Sequence, residues 1–537
     1  MRRLAFTVSV PFYGCPRGDN GTTAEGDAPL THHDSLATHA ENVKCNATQR
    51  EDIHGQKSIG VDGTSFAARQ EPPTSRPETS DGIFCKLEVT MPVKIALIGA
   101  GSRSFGPSTV RDVLLSQPLI EAGVHLVLMD KVAGNLVDVE RYARYAAEKL
   151  GVKVTIEATT DLQHALDGAR FAVCAIEVNR FLYWSQDFHI PRKYGFRQVF
   201  GENGGPGGLF HALRNMAPTV EIARTMERLC PDAWLINFSN PEHKLCEAVS
   251  RLTGIRVVGL CHGYFMGLAQ IAHILGIPAE EIEATACGIN HFTWFQTIRH
   301  KRTGEDLYPL LREREREGDW LAEWHEYGLA RILFRRFGLW PSPAPNHYGE
   351  YIRWADEFVC SELQFFYDPA DGHPWQTGHV PEFVYSLTGD PTRRPWKPEP
   401  PQPRRLEDAP LQPSGELAAP VMESIACGIR HNLPAVNVPN RGAIPNLPDE
   451  TVVEVPAIGD AGGIHPLQME PLPEAIAAML RLQASIHQLL VEAFAERSKE
   501  KLLQAVLLEP TVDSYRNAVQ MVDEMLELQQ EVLPPLH

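Results

Sequence analysis

Cys261-His262-Gly263 and Gly288-Ile289-Asn290-His291, whose histidine stands thirty residues after the cysteine, supply a thiol and imidazoles of the kind that hold a divalent metal. Upstream stands Gly99-Ala100-Gly101-Ser102, a turn that lets backbone N–H groups meet a pyrophosphate at a helix start. A thiol and an imidazole downstream of such a turn suggest a metal beside a nicotinamide, and few chemistries need both. Each element also has a plainer reading. An unpaired cysteine is most often a core residue. His291 is equally a satisfied structural histidine. Gly99-x-Gly101 is also an ordinary tight turn. Ser104 stands where the full fingerprint has its third glycine, although Gly106 is near. The acid Asp130 follows Gly101 by 29 residues, later than the roughly 20 of the usual pattern.

Three further segments bear on the choice. Asn237-Phe238-Ser239-Asn240-Pro241 offers amides, Asn240 among them, to the hydroxyl groups of a ligand. Gly201-Glu202-Asn203-Gly204-Gly205-Pro206-Gly207-Gly208 reads as a flexible glycine-rich loop before a helix, or as a plain hinge. His347-Tyr348-Gly349-Glu350-Tyr351 either packs its tyrosines in a loop or supplies a base, since a Tyr or carboxylate beside a cation can accept a proton near neutrality.

The elements that must position these residues read as follows. Val93–Ile98 is an apolar run entering the glycine turn, as a buried parallel strand would. Strands are expected at 124–130, 152–156, 171–176, 233–237 and 256–261, with helices near 108–116 and 140–150 between them. This alternation predicts an α/β fold, a Rossmann-like doubly wound parallel sheet. Ligands of such sheets bind beyond the carboxyl ends of the strands, where Gly99, Asp130, Glu177, Asn237 and Cys261 all fall. Past residue 290 the pattern is less regular. Residues 377–420 are Pro-rich and charged and read as an insertion or linker. Amphipathic helices are expected at 475–494 and 513–533. The division that follows is a leader, 1–90, then a nucleotide-binding domain, 91–290, then a C-terminal α+β domain, 291–537.

Composition limits the partners. The net charge of −18 argues against nucleic acid, whose phosphates demand clustered Lys and Arg. No run reaches the ~18 apolar residues of a membrane span. Ten scattered cysteines in 537 residues read as thiols of a reducing compartment, so a cytoplasmic location is expected. Residues 1–90 show no period and read as a disordered leader. Their apolar start is short for a secretory signal, and Met91, just before the first strand, reads as an alternative start.

In combination and order, these motifs resemble glycoside hydrolase family 4, from residue 93 to about 510. The elements that match are Ile98-Gly99-Ala100-Gly101-Ser102, Arg192-Lys193-Tyr194-Gly195, Gly207-Gly208 with Ala212-Leu213-Arg214, Asn237-x-x-Asn240-Pro241, Cys261-His262, Gly288-x-Asn290-His291, and Asn437-x-Pro439-Asn440-x-Gly442 running to Pro448. The resemblance implies a lactate/malate dehydrogenase-like fold and NAD+- and Mn2+-dependent glycosidase activity. That family is an exception to hydrolysis by two carboxylates. In its chemistry NAD+ takes hydride from C3 of the sugar, a base removes the acidified C2 proton, and the glycosidic oxygen is eliminated. Water then adds and the hydride returns, so the cofactor is regenerated. By position, Cys261 and His291 would ligate the metal, His262 would be the acid, and Tyr348 the base in preference to His347 and Glu350. Gly99, Gly101, Ser102 and Asp130 would hold NAD+, and Asn240 and Glu202 would contact substrate. His262 resembles members acting on unphosphorylated α-glycosides, where phosphosugar members carry Asn or Asp. Gly263 departs from the Ser of α-glucosidase and α-galactosidase members and keeps an α-hexuronide in play. A homodimer or homotetramer is implied. A 2-hydroxy-acid dehydrogenase is the competing reading. Such an enzyme would need no metal at Cys261 and His291 and would use an Arg/His substrate pair instead. A nucleotide-sensing protein without catalysis is a third.

Overall fold

Both faces of the first strand are apolar, and the chain uses both. In β1 (Val93–Ile98), Ile95 and Leu97 join a core with Val110, Val113 and Leu136, while Ala96 and Ile98 join another with Ile222 and Met226. A strand buried on both sides must be covered by helices on both sides. Those are Phe105–Leu115 and Ala133–Leu150 on one face and Gly205–Leu229 on the other. The computed structural model describes residues 92–102, 105–317, 324–358 and 405–537. The leader and residues 377–404 of the Pro-rich segment lie outside the described residues.

Six parallel strands follow the order expected of a doubly wound sheet. They are β1, β2 (Val124–Met129), β3 (Thr155–Thr159), β4 (Phe171–Cys174), β5 (Trp234–Asn237) and β6 (Arg256–Gly259), arranged 3-2-1-4-5-6. The sheet does not end there. Asn437 of β10 (His431–Pro439) pairs antiparallel with Gly259, and β11 (Val452–Asp460) pairs with β10. Glu454 of β11 then pairs with Gly288 of β7 (Ile282–Ile289), which runs on through β8 (Phe292–His300) to β9 (Trp340–Ser342). A short β12 (Gly463–Pro466) pairs with β11. The two halves of the chain therefore share one sheet. The division suggested after residue 290 falls at the tip of the β7–β8 hairpin, whose two turn residues are Asn290 and His291.

Boundaries moved for identifiable reasons. The strand expected from residue 152 begins at Thr155, because the preceding helix runs to Leu150 and Gly151 caps it in the left-handed region. The last helix runs only Tyr515–Leu528, capped by the Ser514 side chain. The C-terminal end of the expected linker is structured: Ala418–Cys427 is a helix, and Ser414 docks by its N–H on the Asp112 carboxylate at 2.8 Å. Among the described residues no helix is long and apolar enough to cross a membrane.

Candidate active site

The glycine turn is built without slack. Gly99 sits at φ +79, and a Cβ there would lie 2.3 Å from the Ala175 carbonyl oxygen. A Cβ on Gly106 would lie 2.1 Å from the Ala100 carbonyl oxygen, so Gly106 fills the close-packing place of the fingerprint's third glycine. Ser102 accepts from the Phe105 N–H at 3.4 Å and so caps the helix that follows. Asp130, directly after β2, accepts from the N–H groups of Gly101 at 3.2 Å and Val132 at 2.9 Å, and from the Asn135 amide at 3.1 Å. Gly99, Gly101 and Ser102 thus lie in one turn beyond the carboxyl end of β1, and Asp130 closes on it from the end of β2.

Cys261 and His291 come together by a longer route. Cys261 lies two residues beyond β6, and His291 caps the β7–β8 hairpin at φ +63, a left-handed conformation a non-glycine residue seldom takes. Their side chains meet with Sγ 3.3 Å from Nε2. The Gly263 N–H, in the first turn of the helix Gly263–Leu275, points at the same sulfur at 3.4 Å. Burial pushes the Cys261 thiol up, and the Glu454 carboxylate adds to this. A divalent cation would reverse that preference, since thiolate is the form that ligates. Burial, His347 and Lys244 hold His291 neutral, which is the ligating form of an imidazole. Its Nδ1 is buried without a hydrogen-bond partner. A buried imidazole with Nε2 on a thiol and Nδ1 unpartnered is not a satisfied structural histidine.

The hairpin tip is held by a residue the sequence reading assigned no role. Glu454 accepts from Asn290 at 3.0 Å, from Thr293 at 3.0 Å and from Asn437 at 3.3 Å. Its carboxylate ties β11, β10 and the turn before His291 together in a fully buried position. Asn437 and Asn290 stood in the recognised motifs. Glu454 carried no local signal, because its partners come from 17 to 164 residues away.

The glycine-rich loop 201–208 is not a flexible hinge. It is buried along its length. A Cβ on Gly207 would lie 2.0 Å from the Asp187 carbonyl oxygen, and one on Gly204 would lie 2.9 Å from Glu350 Cβ. The glycines are there for close approach. Glu350 accepts the N–H groups of Glu202 at 2.7 Å and Asn203 at 3.0 Å, and the buried Lys244 ammonium donates to the Asn203 carbonyl. This clamp delivers the Glu202 carboxylate to His291 and His347, one ligand atom of each lying within 4.8 Å of the others. Burial works to raise Glu202, but Arg180, 2.7 Å away, holds the carboxyl below its ordinary range. Asn240 donates to the same carboxylate at 3.4 Å.

His262 is half exposed beside Cys261, and its Nε2 is 2.8 Å from the buried Glu416 carboxylate. The hydrogen bond to Glu416 raises the imidazole above its usual value. Tyr348 is fully buried in the turn Pro345–Tyr348. The fold sets its neighbour His347 against His291, with ring centroids 4.3 Å apart.

Beneath the site lies a charged cluster. His211 lies between Asp187 at 3.2 Å and Glu177 at 3.2 Å, with Arg214 on Asp187 at 2.7 Å. Burial opposes charging His211, yet Glu177 and Asp187 carry it from 6.5 up to about 9. A raised histidine stabilises the fold fully below about 6.5 and loses that contribution as pH climbs through about 9. The interval corresponds to roughly 3 kcal/mol. The melting temperature of the wild type is expected to approach that of His211→Gln between pH 6.5 and pH 9. Parallel curves for the two proteins over that range would contradict the assignment.

A thiol–imidazole pair and a nucleotide turn at one end of one sheet define a class, and known proteins narrow it. The family 4 glycosyl hydrolase model matches residues 94–277, and the model of that family's C-terminal domain matches residues 286–512. An alpha-glucosidase of Erwinia rhapontici is 31% identical over 484 residues, covering 82% of this chain and 98% of its own. An alpha-galactosidase of Bacillus subtilis strain 168 is 29% identical over 450 residues, covering 82% of this chain and 99% of its own. The solved structure of a 6-phospho-alpha-glucosidase from gut microorganisms, in complex with NAD and Mn2+, superposes with TM-score 0.64 at 22% identity, covering 82% of this chain and 99% of that one. The chain belongs to family 4 of the glycosyl hydrolases.

Proposed function

We propose that this protein hydrolyses α-glycosides of unphosphorylated hexoses, an α-glucoside or α-galactoside first, with NAD+ and Mn2+ as cofactors. The observation that carries the proposal is the Cys261–His291 pair, 3.3 Å apart at the end of the sheet that bears the Gly99–Ser102 turn. Gly99, Gly101, Ser102 and Asp130 would hold the dinucleotide, and Cys261 and His291 the metal. When bound, the nicotinamide accepts hydride from the sugar and the metal acts as a Lewis acid where charge develops on the C2 and C3 oxygens. His262 delivers a proton to the departing glycosidic oxygen, and the hydrogen bond to Glu416 favours its protonated form. Asn240 and Glu202 face the substrate. The assignment of the C2 base to Tyr348 rests on the family resemblance alone.

Two features support an unphosphorylated sugar. His262 occupies the position next to the metal cysteine. In the arginine-rich segment 331–336, two of the three arginines that could approach a phosphate, Arg331 and Arg335, both bind Glu315, at 3.0 and 2.6 Å. A hexuronide is the second reading, favoured by the room at Gly263. A Cβ there would make ordinary contact with Pro343 at 3.6 Å and Cys261 Sγ at 3.7 Å, so the missing side chain leaves room of about one methyl group beside the metal cysteine.

Nitrophenyl α-glucoside, α-galactoside and α-glucuronide, with their 6-phosphorylated counterparts, are to be assayed with Mn2+, NAD+ and a reductant. Hydrolysis is expected to vanish after EDTA treatment and cofactor removal, and to return only with both additions. NADH is not expected to accumulate. Full activity of the stripped protein would sink the reading. Stoichiometric NADH would favour a dehydrogenase, and preference for 6-phosphoglycosides would overturn the substrate class.

A further inference from the structure

We propose that Glu202 and His347 are metal ligands, so that the ion is held by four side chains of this chain and not by Cys261 and His291 alone. The inference rests on the reading above that a divalent ion sits at Cys261 and His291.

Geometry is the first support. Donor atoms of Glu202, His291 and His347 lie within 4.8 Å of one another. Donors on opposite sides of a first-row divalent ion stand about 4.2 to 4.4 Å apart. Three donors at most 4.8 Å apart reach a common ion at about 2.2 Å by shifts of up to roughly half an ångström each. Cys261 Sγ, 3.3 Å from His291 Nε2, is at the spacing of neighbouring donors on the same ion.

Each new donor is also oriented as a ligand is. His347 Nδ1–H donates to the Asn346 side-chain oxygen at 2.7 Å, which leaves the Nε2 lone pair free to bind. That is the usual state of a metal histidine, its second nitrogen fixed by a neighbour. Glu202 is set by its own backbone, since Glu350 holds the N–H groups of residues 202 and 203. Arg180 and Asn203 occupy part of its lone pairs, at 2.7 and 3.1 Å, and a carboxylate has capacity for a further partner. The cluster is not an exposed acidic patch: Glu202 is 2% and His291 4% exposed.

Charge and coordination number agree with this. A thiolate and one carboxylate carry two negative charges, which match a divalent cation inside a buried site. Cys261 and His291 alone supply one. Four protein donors on a six-coordinate ion leave two places, the number that two vicinal sugar oxygens fill. Under this assignment His347 is a ligand and is not available as the base.

The test is Mn2+ binding by the metal-depleted full chain, read by electron paramagnetic resonance of the free ion, with Co2+ absorption as a second readout. Glu202→Gln and His347→Asn are each expected to raise the Mn2+ Kd at least about tenfold, since lost support of a metal site costs about 10- to 100-fold. Their Co2+ spectra should differ from that of the wild type. NAD+ binding certifies each variant as folded. Should one variant fail to fold, the other decides by the same criterion. Mn2+ affinities of both variants within twofold of wild type would overturn the proposal while leaving Cys261 and His291 in place. Equal affinity of the wild type and Cys261→Ser would overturn the underlying metal reading and this proposal with it.

Discussion

Replacing Cys261 by serine is expected to lower kcat/KM by about 10³-fold or more and to weaken Mn2+ binding, with the melting temperature nearly unchanged. The rate estimate follows from the several kcal/mol of charge stabilisation a catalytic metal supplies, at 1.36 kcal/mol per tenfold. The fold should survive because the site chain is short here. Cys261 stands between the end of β6 and the helix Gly263–Leu275, it is only partly buried, and its partners are His291, the Asn290 side chain and one N–H. A serine hydroxyl fits that space but does not ionise to a soft anion. The same loss is expected from removing His291, with one complication. At φ +63 an alanine inherits the backbone strain while losing the side chain. His291→Asn is the better variant, because Asn tolerates the left-handed region, so its effect reports the lost ligand and not the turn. Retained turnover with undiminished metal affinity in either variant would place the ligands elsewhere.

His262→Asn is expected to slow alkyl α-glycosides by about 10²- to 10⁴-fold, the usual contribution of a general acid, and to slow activated nitrophenyl glycosides far less. Only the poor leaving group needs a proton as the C1–O bond breaks. Because the hydrogen bond to Glu416 raises the His262 imidazole, the acid stays protonated above its ordinary range. Glu416→Gln should therefore shift the alkaline limb of the pH–rate profile to lower pH for alkyl glycosides, while leaving nitrophenyl hydrolysis nearly level. The measurement is kcat/KM across pH on both substrate types. Equal losses on both types of glycoside in His262→Asn would remove His262 from the role of acid.

Much of this was readable where the determinant is local. Val93–Ile98 is a strand in the chain as it is in the sequence, because six consecutive residues of one pattern suffice to bury both faces. The turn at Gly99 and Gly101 was readable because only glycine fits so near Ala175 and Asp130. Cys261 and His291 were readable as a pair through their motifs, although neither shows a partner nearby in sequence. Harder to read was any residue whose meaning depends on a distant neighbour. The base was assigned to Tyr348, while the fold turns the adjacent His347 onto His291. No periodicity operates over a four-residue helical turn, so the direction of His347 was not readable from spacing. Glu202 was read as a substrate contact in a mobile loop, yet the loop is clamped by Glu350 from 148 residues away.

By itself the sequence determined the strand–turn–helix units, the acid at the end of β2, and the residue types a metal and a nicotinamide would require. Only the tertiary structure decided that β10 and β11 stitch β6 to β7, which makes one sheet of two halves. That stitch brings His291 to Cys261 and places Glu454 behind the hairpin. The physical reason is that local propensities and side-chain patterns act over a few residues, whereas a buried carboxylate or imidazole is satisfied by whatever the packed sheet carries past it. Such partners exist only once the core has closed.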